Sequence, residues 1–253
     1  AFSQMTPVLF PFLSLNLVSN CGPTSTRGYY PDYAHLVPDR FVRELARVAE
    51  LRGARFKTGT EVLGLETTGR RVTAVVTTRG TFKADQVVLA AGAWSSILAR
   101  DLNMRLLMQP AKGYSLTFRR PPGGPRLPLS LTEHKVAVTP MGDMLRFSST
   151  LELAGFDASI NRRRLAATLR AAREILPGIV DLDLLEIWRS FRPTSPDGLP
   201  IIGRSPCFNN LILATGHGML GITYGPITGQ LVAQIIANER PVVDLFPLRL
   251  ERF

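Results

Sequence analysis

The chain has 253 residues, 45% hydrophobic and 20% charged, enough apolar material for one large domain or two interleaved ones and too apolar for disorder to be the default. Its formal net charge is +10, yet the arginines are scattered, and the densest run, Arg162-Arg163-Arg164, reads as a solvated helix face rather than a nucleic-acid surface. The two cysteines, Cys21 and Cys207, lie far apart with no CxxC, which excludes a disulfide scaffold and a cysteine zinc site and fits a reducing compartment.

In chain order, residues 1–27 read as an irregular segment. The apolar stretch Pro7 to Val18 is too short for a membrane span, lacks a basic flank, and carries prolines, so it does not read as a signal peptide. From Pro38 the spacing of Phe41, Leu45, Val48, Ala49 and Leu51 predicts a helix, with Asp39 as N-cap and Gly53 as its stop. Short strands follow at Arg55–Lys57, Glu61–Thr67, Arg71–Thr78 and Thr81–Ala84, punctuated by Gly69 and Gly80. Gln86 to Ala91 is continuous and apolar, as expected of a fully buried strand.

The texture then changes. Gly113–Arg119, Lys135–Pro140 and Met144–Thr150 alternate like half-buried antiparallel strands, with a turn at Gly142-Asp143. Asn161 caps a predicted helix through Leu176, closed by Pro177-Gly178, and a strand follows at Leu184–Phe191. A Pro/Gly-rich loop, residues 192–203, leads back to α/β texture. There Asn210–Thr215 reads as a buried strand, and the turn Gly216–Gly221 (GHGMLG) opens a helix to about Asn238. The fold class is α/β, with a β-rich insert between two α/β portions.

Three features carry chemistry. A strand feeding a glycine-rich turn at a helix start gathers backbone N–H groups and the positive helix end at one point, although the same glycines also serve a plain tight turn. The strand VVLAAGAWS (87–95) ends in small residues that suit either a ligand or close helix packing. Arg192, held beside Pro193, offers a planar fork for a carboxylate, or else a surface ion pair. Asp197 sits in a Pro-Asp-Gly turn and reads as a turn residue. His35 and His134 have no partners at recognisable spacing.

The ordered set KGYSLT (112–117), TPMGD followed by LR (139–146), RPTSPDGLPIIG (192–203) and ATGHGMLGIT (214–223), with TEVLGLE and VVLAAGAWS upstream, resembles the D-amino-acid dehydrogenase branch of the FAD-dependent oxidoreductases. That branch is related to glycine oxidase and D-amino-acid oxidase, and the resemblance covers about residues 28–253. It implies an FAD-binding Rossmann-like domain (28–105 and 192–253) interleaved with an antiparallel substrate domain (106–191). It further implies that Ala90, Ala91 and Gly92 line the FAD ribose and phosphates, and that the backbone of Val62 meets the adenine. Gly216, His217, Gly218, Met219, Leu220, Gly221, Ile222 and Thr223 would lie against the isoalloxazine.

In this reading Arg192 clamps the substrate carboxylate, hydride passes from Cα to flavin N5, and His217 is a loop contact rather than a base. Tyr114 either borders the substrate pocket or packs in the inserted sheet. The implied partners are a small amino acid and, as electron acceptor, a quinone or O2. The implied location is the cytoplasm, with attachment at the inner membrane as a variant. The family's opening strand and GxGxxG loop do not precede Gly28, so the further expectation is either a second chain supplying that segment or a truncated sequence. Ile222 stands where many relatives carry an aromatic residue. The alternatives are a glycine, sarcosine or hydroxyproline oxidoreductase, and a non-catalytic fragment or subunit.

Overall fold

The computed structural model describes residues 34–175 and 183–253; the irregular segment expected at 1–27 and the Pro177-Gly178 stop lie outside them. The chain divides into two compact units. The first comprises Ala1–Leu45, Lys112–Glu152 and Asp157–Ser190, the second Ala46–Ala111, Leu153–Phe156 and Phe191–Phe253. The expected boundaries at 105/106 and 191/192 differ from these. Among the described residues, Lys112–Glu152 and Asp157–Ser190 fall in the first unit and Leu153–Phe156 in the second.

Helix α1 spans Pro38–Leu51 and buries none of its residues. Pro38 takes the first helical position because its missing N–H is not needed there. Asp39 therefore lies inside the first turn instead of capping it, and its carboxylate accepts from the Arg43 guanidinium at 2.8 Å. Gly53 at φ +93° ends the helical stretch as expected.

The first unit is built on an antiparallel sheet, with strands β5 (Gln109–Arg119), β6 (Leu129–Leu131), β7 (Val136–Met141), β8 (Met144–Glu152) and β9 (Leu184–Thr194) in the order β6-β7-β8-β5-β9. β7 and β8 meet through Met141 opposite Met144, and the intervening Gly142-Asp143 has positive φ at the glycine alone, as a hairpin of this length permits. Tyr114, Leu116 and Phe118 of β5 point with Val136, Val138, Leu145 and Phe147 into one core. Helix α3 (Arg162–Ile175) closes it with Leu165, Ala171 and Ala172. Asn161 caps α3, its Oδ1 accepting from the N–H groups of Arg163 and Arg164 at 3.1 and 3.3 Å.

β5 departs from the expected half-buried pattern. Residues 110–118 are all buried, because this strand sits inside the sheet between β8 and β9 and both its faces are covered. The short strand β6, too brief to show a period, was not expected.

The second unit holds two small sheets. β1 (Val62–Thr68), β2 (Arg71–Thr77) and β3 (Gly80–Phe82) form an antiparallel meander, with Gly69 at φ +56° and Gly80 at φ +109° at its two turns. No strand forms at the expected Arg55–Lys57. The other sheet runs β10-β11-β4, from β10 (Ile201–Arg204), β11 (Leu211–Thr215) and β4 (Val87–Leu89). β11 pairs antiparallel with β10 and parallel with β4. The expected strand Gln86–Ala91 is thus shortened to three residues. It is not fully buried either, since Val88 is 37% exposed on a strand with one neighbour among the described residues.

Helix α2 (Ser95–Asp101) packs Ala99 into a core with Leu89, Leu102, Met104, Ile201, Leu211 and Leu213. Helix α4 (Gly221–Ala237) lays Leu231 and Ile235 against Ile202 and Ile212 on the same sheet. Asn238 ends it in the left-handed conformation.

Candidate active site

All five residues of β11 are buried, and the chain leaves it at Gly216 with φ +79°. A Cβ there would lie 3.3 Å from the Ile201 backbone nitrogen, so both the backbone angle and the space ask for glycine. Gly218, at φ +54°, has nothing within 4 Å of where a Cβ would stand. It is an open backbone surface.

Helix α4 begins at Gly221 with Leu220 as a non-polar N-cap and no side-chain capping hydrogen bond. The amides of Gly221, Ile222 and Thr223 therefore stay free of side-chain acceptors at the positive helix end, and all three residues are exposed. Met219 is 54% exposed beside them.

His217 locks this turn in place. Its Nε2 lies 2.9 Å from Thr228 Oγ1, two turns into α4, and its backbone bridges antiparallel to Thr194. Burial lowers the imidazole pKa below its ordinary value, which keeps the ring neutral at pH 7. A side chain spent on a hydroxyl of the helix that follows it acts as a brace. The histidine–threonine pairing falls at an i, i+11 spacing that carries no sequence signature.

The same contacts bring Arg192 to the turn. Where the sequence read a loop from residue 192, β9 continues through Thr194, and the Gly218 N–H donates to Pro193 O at 2.8 Å. The residue carrying the guanidinium thus adjoins the strand end that the glycine turn grips. Arg192 Nη1 is buried with no hydrogen-bond partner, and the guanidinium makes no ion pair among the described residues. Burial pulls its pKa below the ordinary value, although an arginine stays cationic. A buried cation without an acceptor is costly, and a carboxylate is the group whose geometry would relieve that cost. The surface ion pair weighed from sequence is absent among the described residues.

Asp197 works as the turn residue expected. Its Oδ1 accepts from Leu199 N at 3.0 Å and Ser195 Oγ at 3.1 Å, and the Arg252 guanidinium donates to its two oxygens at 2.8 and 3.1 Å. Arg252 foremost, aided by the Leu199 amide, holds its carboxyl below the usual carboxylate range. Gly198 at φ +76° completes the turn.

On the parallel neighbour of β11, Ala90 and Ala91 follow the end of β4, and Gly92 at φ +54° opens a 3-10 turn to Trp94. Ala90 is exposed and Ala91 half-buried, and nothing lies within 4 Å of a Cβ built on Gly92. Thr215 Oγ1 donates to Gly92 O at 3.0 Å, tying the Ala90–Gly92 segment to the start of the glycine turn. Sequence reasoning missed that tie, as it missed the ring cluster Trp94, Phe156 and Phe191, with centroids 5.5 to 6.0 Å apart.

The two remaining expected residues, Val62 and Tyr114, lie on other strands. Val62 opens β1 in the meander, 39% exposed, opposite Thr77. Tyr114 is 2% exposed in the first unit's core. Its hydroxyl donates to Glu152 Oε2 at 2.8 Å and accepts from Asn161 N at 3.2 Å, which corresponds to the packing alternative for this residue. No group of metal-ligating side chains occurs among the described residues.

The second unit therefore presents open glycine backbone after two adjacent parallel strands, an uncapped helix start, and, on the strand beside them, a half-buried guanidinium without a partner among the described residues. These residues fit an extended anionic cofactor with a carboxylate-bearing ligand. A family model described as "FAD dependent oxidoreductase" matches residues 12–235. The chain is 37% identical over 227 residues to a D-amino acid dehydrogenase of Paramagnetospirillum magneticum, a match covering 89% of this chain and 54% of that protein. Among solved structures it is similar to glycine oxidase from Geobacillus kaustophilus, at 29% identity and a TM-score of 0.73 over 83% of this chain and 57% of that one. It is also similar to iminodiacetate oxidase from Chelativorans sp., at 27% identity and a TM-score of 0.74 over the same shares. The chain spans about half the length of the curated relatives it matches. With the family model matching most of its length, the chain belongs to the FAD-dependent oxidoreductase family whose motifs its sequence carries.

Proposed function

We propose that the complete protein oxidatively deaminates a small or medium D-amino acid, giving an imino acid that hydrolyses to the 2-oxo acid and ammonia. The observation that carries this reading is the half-buried Arg192 guanidinium, whose buried Nη1 has no hydrogen-bond partner among the described residues, on the strand end gripped by the glycine turn. Arg192 binds the substrate carboxylate through its fork and so orients the amino acid's Cα–H, and orientation is the main rate contribution asked of the protein. The free amides of Gly221, Ile222 and Thr223 and the dipole of α4 favour negative charge at the turn, while Ala90–Gly92 and Gly218 offer backbone for close approach of FAD. When bound, FAD supplies the acceptor for the two electrons leaving Cα, which pass on to a quinone or O2.

No base is assigned on the protein, since the neutral His217 ring is engaged by Thr228. The dehydrogenase and amine oxidases similar to this chain support an amino-acid or amine substrate. The test is anaerobic titration of the flavin-loaded protein. D-amino acids are expected to bleach the flavin absorbance, with L-isomers, glycine and sarcosine slower. Faster bleaching by glycine or sarcosine would assign the second reading, a glycine- or sarcosine-type oxidoreductase.

A subunit that contributes part of a pocket to another chain is the rival from a different class. It is favoured by exposed Val88 on β4, a strand with one neighbour among the described residues. A colourless purified protein that cannot be reconstituted with FAD would decide for it.

A further inference from the structure

At the far end of the β10-β11-β4 sheet, we infer a second small-molecule site, one that takes an α-amino acid with an apolar side chain; it stands apart from the proposed reaction. Ile201 pairs with Thr215 and Arg204 with Ile212, so the Arg204 end of β10 lies opposite the end where Gly216 leaves β11. Helix α4 runs 17 residues from the turn to this end, a rise of about 25 Å. An open cleft of about 480 Å³ occupies this far end, walled by Ile202, Ile235 and Leu245 and carrying Arg249, Glu239 and Glu251.

Three of the charged side chains in this cleft, Arg249, Glu239 and Glu251, are without ion pairs among the described residues. Arg249 has a buried Nε with no acceptor, and its guanidinium makes no hydrogen bond or ion pair among the described residues. Its face lies on the Phe246 ring, 3.7 Å from the centroid. Stacking of that kind fixes the guanidinium plane and leaves its edge for a carboxylate. Glu239 follows the C-terminal end of α4, where the helix dipole adds to its negative charge, and both Glu239 and Glu251 are exposed without an ion pair among the described residues.

The other cation, Arg204, is consumed by Gln86 Oε1 at 3.1 Å, Ile235 O at 2.7 Å and Asn238 Oδ1 at 3.0 Å. One cleft thus presents a free guanidinium and free carboxylates that do not neutralise each other. A simple anion would meet the two glutamates, and a simple cation would meet Arg249. A zwitterion satisfies both, its carboxylate on Arg249, its ammonium toward Glu239 and the helix end, and its side chain on the isoleucines and Leu245.

The experiment is ligand-observed NMR with calorimetry on the full chain in an Arg192→Ala background, so that the proposed substrate position does not contribute. The probes are D- and L-leucine, 4-methylpentanoate, which lacks the ammonium, and isopentylamine, which lacks the carboxylate. Leucine is expected to bind saturably, with each analogue weaker by about tenfold or more, because each forfeits a charge-assisted contact. Arg249→Gln and Glu239→Gln are each expected to weaken leucine binding comparably. Glu239→Gln changes an exposed side chain, so it keeps the test open should the Arg249 variant unfold. No saturable binding, analogues that match leucine, or binding untouched by Glu239→Gln would overturn the inference.

Discussion

Arg192 and His217 lie 25 positions apart and yet define one corner of the molecule, through the bridge from Thr194 to His217 and the hydrogen bond from Gly218 to Pro193. If Arg192 holds a carboxylate, Arg192→Ala in the complete enzyme forfeits a bidentate charged contact. KM is then expected to rise about a hundredfold with the bound flavin spectrum unchanged, and steady-state kinetics beside an absorbance scan check both halves. An unaltered KM removes Arg192 from the site.

His217 makes a prediction of a different sign. Burial depresses its pKa in the folded chain below the unfolded value of about 6.5. The stability it contributes is therefore fully present above that value and is lost as pH falls through the folded pKa. Thermal midpoints measured from pH 8 to pH 5 should decline, and His217→Gln should flatten that decline. A parallel slope in the variant would assign the pH dependence to other groups.

At the scale of elements, the turn between β11 and α4 depends on one backbone angle. Gly216→Ala places a Cβ at φ +79°, 3.3 Å from the Ile201 nitrogen. The left-handed conformation alone costs an L-residue about 1–2 kcal/mol, and the contact adds to it. Denaturant unfolding should show that loss in its midpoint, together with weaker FAD retention because the helix start shifts. Gly218→Ala keeps the angular cost but meets open space, so its stability loss is expected to be the smaller of the two.

Local chemistry was readable for such features. The Asn161 cap, the Gly142 hairpin and the glycine turn each follow from residue types at short spacing, and each is present. The N-cap of α1 was misplaced by two positions because a proline at the first helical place outranks a following aspartate. The Arg55–Lys57 strand was misread because three residues carry too little periodicity to decide.

At the scale of the whole molecule, the clearest object invisible to pattern is Lys112. It is 0% exposed in β5, its ammonium donating to Asp157 Oδ2 at 2.9 Å and to Ser159 O at 3.0 Å, with Glu152 at 3.8 Å. Burial opposes its charge, yet the Asp157 carboxylate and its neighbours hold its pKa above the ordinary value. Asp157 in turn is held below the usual carboxylate range by the Ser159 amide and hydroxyl, and then by Lys112. A depressed carboxylate lends stability that is present above its unfolded pKa of about 3.9 and lost as pH falls through the folded one. Lys112→Ala should destabilise the chain clearly more than Lys112→Met, which refills the space without the charge, and both should lose part of the acid-limb pH dependence. Urea midpoints at pH 7 and pH 3 read this; equal midpoints for the two variants at pH 7 would mean that packing volume is irrelevant at this position.

The family and the α/β class were determined by the sequence alone, because motifs such as GHGMLG and RPTSPDGLPIIG encode backbone conformations and charges within a dozen residues. Tertiary structure decided what depends on distant neighbours: that β5 is buried on both faces, that Tyr114's hydroxyl is spent on Glu152, that β9 extends through Arg192, and that this guanidinium finds no acceptor among the described residues. Burial and hydrogen-bond satisfaction are sums over everything that surrounds a group, and short-range pattern contains only the part contributed by adjacent chain.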